Sequence, residues 1–248
     1  RALYPDSERW ALQLAYVLER MGRRQEQIEL LRAFVNRPGA SAVMLAQYAQ
    51  ALGDNPTQRQ ESIAMLLRAI RRQPFNAGHY YMLAGLWWSL RQRRAALRAY
   101  RLAHCLDDKN ENFARAYFAA SRHFGLTEET LAFFRERFER FGHKSSGPAT
   151  TLFWALTELE RVPEALTLLD KAIQLRPDDG ALLLYAAEQL ACYARPQQAH
   201  QLLTQARSRC APIHWHRYAG LVARMEGRLV ESLEHWQRVL EIEPLALD

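Results

Sequence analysis

Cys210, His214 and His216 stand in a C-x3-H-x-H spacing that could be read as part of a metal site. Zinc asks for four ligands on converging vectors. Two histidines two positions apart on a helix point to opposite sides, and no fourth ligand stands near them. A turn cysteine and two helix-start histidines are the plainer reading. Glu158 with Glu160, or Asp178 with Asp179, offers paired carboxylates for acid–base work. Asp178-Asp179, however, follows Pro177 at a predicted helix start, where acids complement the helix dipole. The chain has no Walker loop, GxGxxG, GxSxG or HExxH pattern. No catalytic residue, cofactor or metal is therefore assigned, and the chain is not read as an enzyme.

The three cysteines, Cys105, Cys192 and Cys210, form no CxxC pair and cannot all be bridged within one chain. That favours a reducing compartment such as the cytoplasm over the periplasm. The net charge is +6, carried by thirty arginines and only three lysines, Lys109, Lys144 and Lys171. Arginine forks grip carboxylates or phosphates, but GC-rich codon usage gives the same skew. The basic residues are spread along the whole chain, so the charge alone does not point to nucleic acid. No run of 18 apolar residues exists, so no membrane span is expected. The opening "RALYPDSERW" has neither an initiating Met nor an apolar signal core, and reads as part of something longer or a processed form.

The elements that would carry these side chains repeat. Four anchor sets align: Ala96-Tyr100-Ala103-Asp108, Ala165-Leu169-Ala172-Pro177, Ala199-Leu203-Ala206 and Ser232-Trp236-Val239-Pro244. Their first members lie 69, 34 and 33 residues apart, and Thr130-Phe134 fills the gap in the double interval. Each set follows another helical segment with its own small residue. Seven helix pairs result, near 10–38, 41–74, 77–108, 111–142, 146–177, 180–212 and 213–244, read as one continuous domain over 1–248. Gly22, Gly53, Gly125 and Gly227 fall where the chain must turn, some of them in left-handed conformation. Pro38, Pro74, Pro177 and Pro244 end second helices, and Thr127 reads as an N-cap before "EET". The Ser/Gly/Pro-rich "HKSSGPAT" at 143–150 reads as a longer turn and a flex point.

Seven helix pairs at a spacing near 34 residues resemble the tetratricopeptide repeat. Tyr80, Leu83, Ala84, Trp87, Ala96, Tyr100 and Ala103 fall in order on that family's signature slots. The copy at 146–177 departs with Phe153 in a normally small slot. The copy at 111–142 departs with Tyr117-Phe118 and Arg137. The resemblance implies an all-α fold, a right-handed α-α superhelix, because no helix pair can bury its apolar stripe alone.

The adjacent aromatics Tyr80-Tyr81 and Trp87-Trp88 point about 100° apart on a helix, so one member of each pair faces elsewhere. With Tyr80, Leu83, Ala84 and Trp87 as the buried stripe, Tyr81, Gly85 and Trp88 share a second face. In proteins resembling this one that face lines the hollow side of the superhelix. The same offset gives Leu12, Tyr16 and Glu19; Val43, Gln47 and Gln50; and Arg115, Ala119 and Arg122, with His123 beside them. It then gives Thr150, Trp154 and Thr157; Leu184, Glu188 and Ala191; and Arg217, Leu221 and Arg224. The partner-binding residues expected from this register are Tyr16, Gln47, Gln50, Tyr81, Trp88, Arg115, Arg122, His123, Trp154, Glu188, Arg217 and Arg224.

Such a surface suits a protein-interaction scaffold that takes a peptide, helix or domain on aromatic anchors and arginine forks. By family resemblance, bacterial arrays of this kind serve secretion, envelope or exopolysaccharide assembly, or recruit for a fused enzyme. RNA binding is the alternative, since Arg with Trp and Tyr also suits base stacking. Glu19, Glu158 and Glu188 on or beside the face weigh against nucleic acid. A third reading is end-to-end self-association or a continuing array, because nothing in the sequence caps Leu233, Trp236 and Leu240.

Overall fold

The computed structural model describes residues 7–244, which are helical almost throughout. Among the described residues there are fourteen α-helices and no strand. They are α1 (Glu8–Arg20), α2 (Arg24–Val35), α3 (Ala42–Gly53), α4 (Arg59–Arg72), α5 (Ala77–Ser89), α6 (Arg93–Leu106), α7 (Glu111–His123), α8 (Thr127–Phe141), α9 (Gly147–Thr157), α10 (Val162–Leu175), α11 (Gly180–Cys192), α12 (Pro196–Ala206), α13 (Pro212–Met225) and α14 (Leu229–Ile242). The chain divides into two compact units, Arg1–Thr127 and Glu128–Asp248. The first holds the hairpins α1–α2, α3–α4 and α5–α6, followed by α7. The second holds α8 and the hairpins α9–α10, α11–α12 and α13–α14. Within each unit a second helix packs on the first helix of the next hairpin: α2 on α3, α4 on α5, α6 on α7, α10 on α11 and α12 on α13.

One backbone device closes most of these turns. Gly22, Arg91, Gly125, Glu160, Ala194 and Gly227 all lie in the left-handed region, with φ between 56° and 76°. At each, the next residue's N–H bonds the carbonyl four before the left-handed residue, as in Gln92 to Trp87 at 2.9 Å and Arg195 to Leu190 at 2.9 Å. The left-handed residue's own N–H bonds the carbonyl three before it, as in Arg91 to Trp88 at 3.1 Å. This double closure satisfies the carbonyls that a helix end leaves open. It also fixes which residues are equivalent along the chain. Gly22, Gly125 and Gly227 occupy this position as glycine suits it. Gly53 does not: it ends α3 without a positive φ, and an added Cβ would sit 3.2 Å from Leu86 Cδ2. The α3–α4 link is longer, with a 3-10 turn at Pro56–Gln58, so it needs no left-handed residue.

Close approach of the paired helices rests on small or compact residues at one second-helix position. Gln27, Ser62, Ala96, Ala165, Ala199 and Ser232 are all buried there. Where serine stands, its hydroxyl donates to a first-helix carbonyl: Ser62 to Ala49 at 2.6 Å and Ser232 to Gly220 at 2.8 Å. The hydroxyl is thereby satisfied in a dry contact. Helix starts are set by short polar caps: Ser41, Asn76, Asn110 and Asp179 each accept a backbone N–H of the first turn. α8 begins at Thr127 itself. Residues 143–150 are a turn running into α9, with Pro148 in its first turn, and lie inside the second unit.

Candidate functional site

In the first unit, α1 and α3 place polar side chains around one opening. Tyr16, Glu19 and Arg20 of α1 and Gln47 and Gln50 of α3 line a cleft of about 560 Å³. Gln50 also reaches a second cleft of about 380 Å³ that includes Asp54, Arg59, Gly85 and Ser89. Tyr16 is 60% exposed. The end of α3 that carries Gln50 is fixed from behind. Arg24 donates to the Gln50 and Ala51 carbonyls at 2.9 and 3.0 Å and pairs with Asp54 at 2.6 Å. A guanidinium over the last carbonyls of a helix complements its dipole. The Ser62 bond to the Ala49 carbonyl matches the Ser232 bond to Gly220, and so puts Ala46, Gln50 and Gly53 at the positions equivalent to Tyr81, Gly85 and Trp88, one turn on from the trio Val43, Gln47 and Gln50 read from the sequence. Gln47 and Gln50 line the cleft all the same.

Further along the unit lie the aromatics. Tyr80 and Tyr81 both pack against the cluster of Ala77, Ala103 and Phe113. The Tyr81 ring lies 5.0 Å from Phe113 and 5.7 Å from Tyr100, so it is half-buried between α5, α6 and α7. Tyr80 donates its hydroxyl to the Pro74 carbonyl at 2.9 Å. Trp87 and Trp88 both pack on Ala84, Ala96 and Ala99. The two faces thus share the burial instead of dividing it, because each ring is long enough to reach a neighbouring helix.

Trp88 stands edge-on to His123, with ring centroids 5.3 Å apart. Arg93 completes the group: its guanidinium carbon is 5.5 Å from the Trp88 centroid, and its Nη1 lies 2.5 Å from His123 Nε2. Arginine can only donate, so His123 Nε2 carries the lone pair in this contact. A cation against the indole adds attraction. Sequence reading placed Trp88 and His123 on one face and missed Arg93, whose only signal was a basic residue just after the α5–α6 turn. Arg115 and Arg122 are both exposed on α7. Arg115 is paired with Glu111 at 3.2 Å, while Arg122 lies 5.9 Å from the Phe118 ring centroid.

Trp154 is half-buried on α9, and its carbonyl accepts from Thr157 Oγ1 at 2.9 Å. Glu188 on α11 is half-buried, and burial raises its carboxyl pKa while the nearby Arg224 charge works the other way. Arg217 and Arg224 are exposed on α13. Leu184, expected beside Glu188, is buried at 1% exposure and belongs to the core. Glu188 and Arg224 thus lie within electrostatic range of one another.

The polar pairs noted in the sequence have structural duties. Asp179 caps α11 through Leu182 N–H at 3.1 Å and pairs with Arg176; Asp178 pairs with Arg209 at 3.0 Å. Cys210 donates to the Ala206 carbonyl at 3.1 Å, and His214 is exposed. His216 instead faces His235 across α13 and α14, Nδ1 to Nδ1 at 3.0 Å, a contact absent from the spacing of the sequence. Among the described residues, no three His, Cys, Asp or Glu side chains group to hold a metal. Nor is any described helix long and apolar enough to cross a membrane.

Repeated helical hairpins with a common turn, a common small-residue crossing and clefts between successive first helices define a helical-hairpin repeat protein. Solved structures similar to this chain include tetratricopeptide repeat proteins. One, from Parabacteroides merdae, is 12% identical, covers 95% of this chain and 93% of its own, and has a TM-score of 0.49. A thermophilic one from Thermus thermophilus is 21% identical over 69% of this chain and 94% of its own, with a TM-score of 0.47. YrrB, described as having an unusual peptide-binding site, is 20% identical over 73% and 94%, with a TM-score of 0.40. No family model matches the chain, and no curated protein matches it at a significant level.

Proposed function

We propose that the chain is a scaffold that takes an extended segment of a partner protein along the first-helix side of its first unit. The observation that carries this reading is Gln50, whose side of α3 lines both clefts, so that α1, α3 and α5 offer one continuous run of contacts. A primary amide both donates and accepts, which suits a partner's backbone in any side-chain sequence. Tyr16 supplies an aromatic anchor of low conformational entropy. Arg20 and Arg59 supply forks for carboxylates on the partner. At the far side of the unit, Trp88, Arg93 and His123 present an aromatic and cationic group for an acidic or aromatic side chain. The partner-binding role of Trp154, Glu188, Arg217 and Arg224 in the second unit is part of the same proposal.

The test is selection from a displayed library of random linear peptides against the whole chain, followed by fluorescence anisotropy of the selected peptides. Joint Gln47→Ala and Gln50→Ala substitution should weaken the best peptide at least tenfold, on the order of 1.4 kcal/mol. Equal affinity for the double variant would refute the site. Competition by single-stranded RNA with a steep log–log salt slope would favour the nucleic-acid reading instead.

A further inference from the structure

Arginines are spread along the whole chain, but acids are not. Residues 62–106 hold eight arginines and no aspartate or glutamate, while the rest of the chain carries 25 basic and 27 acidic residues. All of the net positive charge therefore arises between α4 and α6. The acids that bracket this span in sequence are Glu61, which accepts the Tyr48 hydroxyl at 2.7 Å, and the half-buried Asp107. Elsewhere guanidinium groups are answered within the molecule: Arg24 by Asp54, Arg176 by Asp179 and Arg209 by Asp178. Among the described residues, no ion pair reaches Arg71, Arg72, Arg91, Arg94 or Arg98, and all five are exposed.

The helix register gathers these charges on one side. Arg94 and Arg98 stand one turn apart on α6, on the side away from the buried Ala96, Ala99 and Ala103. This is no habit of the repeat. At the position of Arg98 the other hairpins carry Glu29, Ala64, Thr167, Gln201 and Glu234, and at that of Arg94 they carry no charge. Exposed apolar side chains stand among the arginines. Leu102, four residues on from Arg98, is 49% exposed, and Leu67, four before Arg71, is exposed on α4. Phe75, in the turn that follows Arg71 and Arg72, is 82% exposed. None of these side chains lines either cleft.

We propose that the outward side of α4 and α6 docks on an anionic lipid surface, leaving the clefts free. The arginines call for a polyanion, since each keeps its charge and meets phosphate with a fork. The apolar side chains choose which one. A nucleic acid offers phosphates and stacking faces but nothing for an exposed leucine. A bilayer offers phosphate at the headgroups and hydrocarbon just beneath them, so charge and apolar side chains are satisfied by one flat surface. Phe75 then enters the interface while Arg71 and Arg72 hold the headgroups beside it. Attraction of this kind weakens as salt shortens the reach of the charges.

The experiment is co-sedimentation of the whole chain with vesicles of pure phosphatidylglycerol and of pure phosphatidylcholine, at low and at physiological salt. The wild type should bind the first, more weakly as salt rises, and not the second. Each arginine near an anionic surface contributes roughly fivefold, so joint Arg94→Glu and Arg98→Glu substitution should lower the partition at least tenfold. Phe75→Ser should lower it several-fold. Circular dichroism checks that helix content is retained, as expected for exposed positions. No binding to phosphatidylglycerol at low salt would overturn the proposal, as would an unchanged partition in either variant. Single-stranded RNA or polyglutamate that binds as tightly at equal charge concentration, with the same loss in the arginine variant, would mark the face as a site for another polyanion and equally refute it.

Discussion

His216 and His235 face one another through Nδ1 atoms 3.0 Å apart, so one ring donates and the other accepts, and both cannot be charged at ease. Burial lowers the His216 pKa, and the charges of His235, Arg207 and Arg238 lower it further, with Glu241 opposing. Burial lowers His79 too, against a backbone hydrogen bond at Gln73. For a base whose folded pKa is depressed, the unfolded chain takes the proton first. Stability is then full above the ordinary histidine value, about 6.5, and falls as pH drops below it, levelling off beneath the folded pKa. The melting temperature should fall by a few degrees between about pH 7.5 and about pH 5.5, and less in a His216→Asn, His79→Asn double variant. A pH-independent wild type would contradict this pairing.

Glu226 adds a second acid step. Burial alone would raise its carboxyl pKa, but hydrogen bonds from His200 and Arg228 hold it below the ordinary range. The stability it lends is present above the unfolded carboxylate value, about 4.3, and is lost as pH falls through the folded pKa. Glu226→Gln should flatten the acid limb of an unfolding curve below about pH 5 without altering the histidine step above it.

Arg91, Glu160 and Ala194 hold a backbone conformation that costs an L-residue about 1 kcal/mol. Gly22, Gly125 and Gly227 avoid that cost at the same place. Arg91→Gly or Ala194→Gly should therefore raise stability slightly, by less than about 1 kcal/mol after the added freedom of the unfolded chain. Gly22→Ala should lower it by about 1 kcal/mol, measured by urea titration.

Ser62 sits at the crossing of α3 and α4, with its hydroxyl 2.6 Å from the Ala49 carbonyl. Alanine stands at that position in three other hairpins, so Ser62→Ala should cost about 1 kcal/mol or less. Ser62→Leu should cost about 3 kcal/mol by forcing α3 and α4 apart. Near-equal midpoints for the two variants would show that the crossing is looser than it looks.

Arg115 already answers Glu111, whereas Arg122 lies over an aromatic ring. For a selected acidic peptide, Arg122→Glu should lose roughly tenfold in affinity and Arg115→Glu markedly less, with helicity unchanged in both. Titration by anisotropy separates the two; an equal loss would mean that the ligand displaces Glu111.

The helical hairpins and their small-residue crossings were legible because both are local: a 34-residue interval and an alanine or serine at most of the crossings leave plain marks. The left-handed closure at Arg91, Glu160 and Ala194 was not, since backbone hydrogen bonds make it and any side chain can stand there. The register of α3 slipped by a turn because the α3–α4 link carries an extra 3-10 turn. Tyr81 and Trp88 were expected to stand apart from the packing; their rings reach α6 and α7, a matter of side-chain length that periodicity does not encode. Leu184 likewise carries no sign of burial beyond being leucine. The His216–His235 contact joins two helices and depends on how α14 rotates against α13. Tyr16 is exposed where the helical offset from the α1–α2 turn places it.

A turn position that accepts glycine, arginine, glutamate and alanine with the same hydrogen bonds is indifferent to what protrudes from it. Arg91, Glu160 and Ala194 are exposed there, just before the second-helix starts. They are natural attachment points for a dye, a spin label or a tether, where a reporter can be hung on the molecule while its helices keep their spacing.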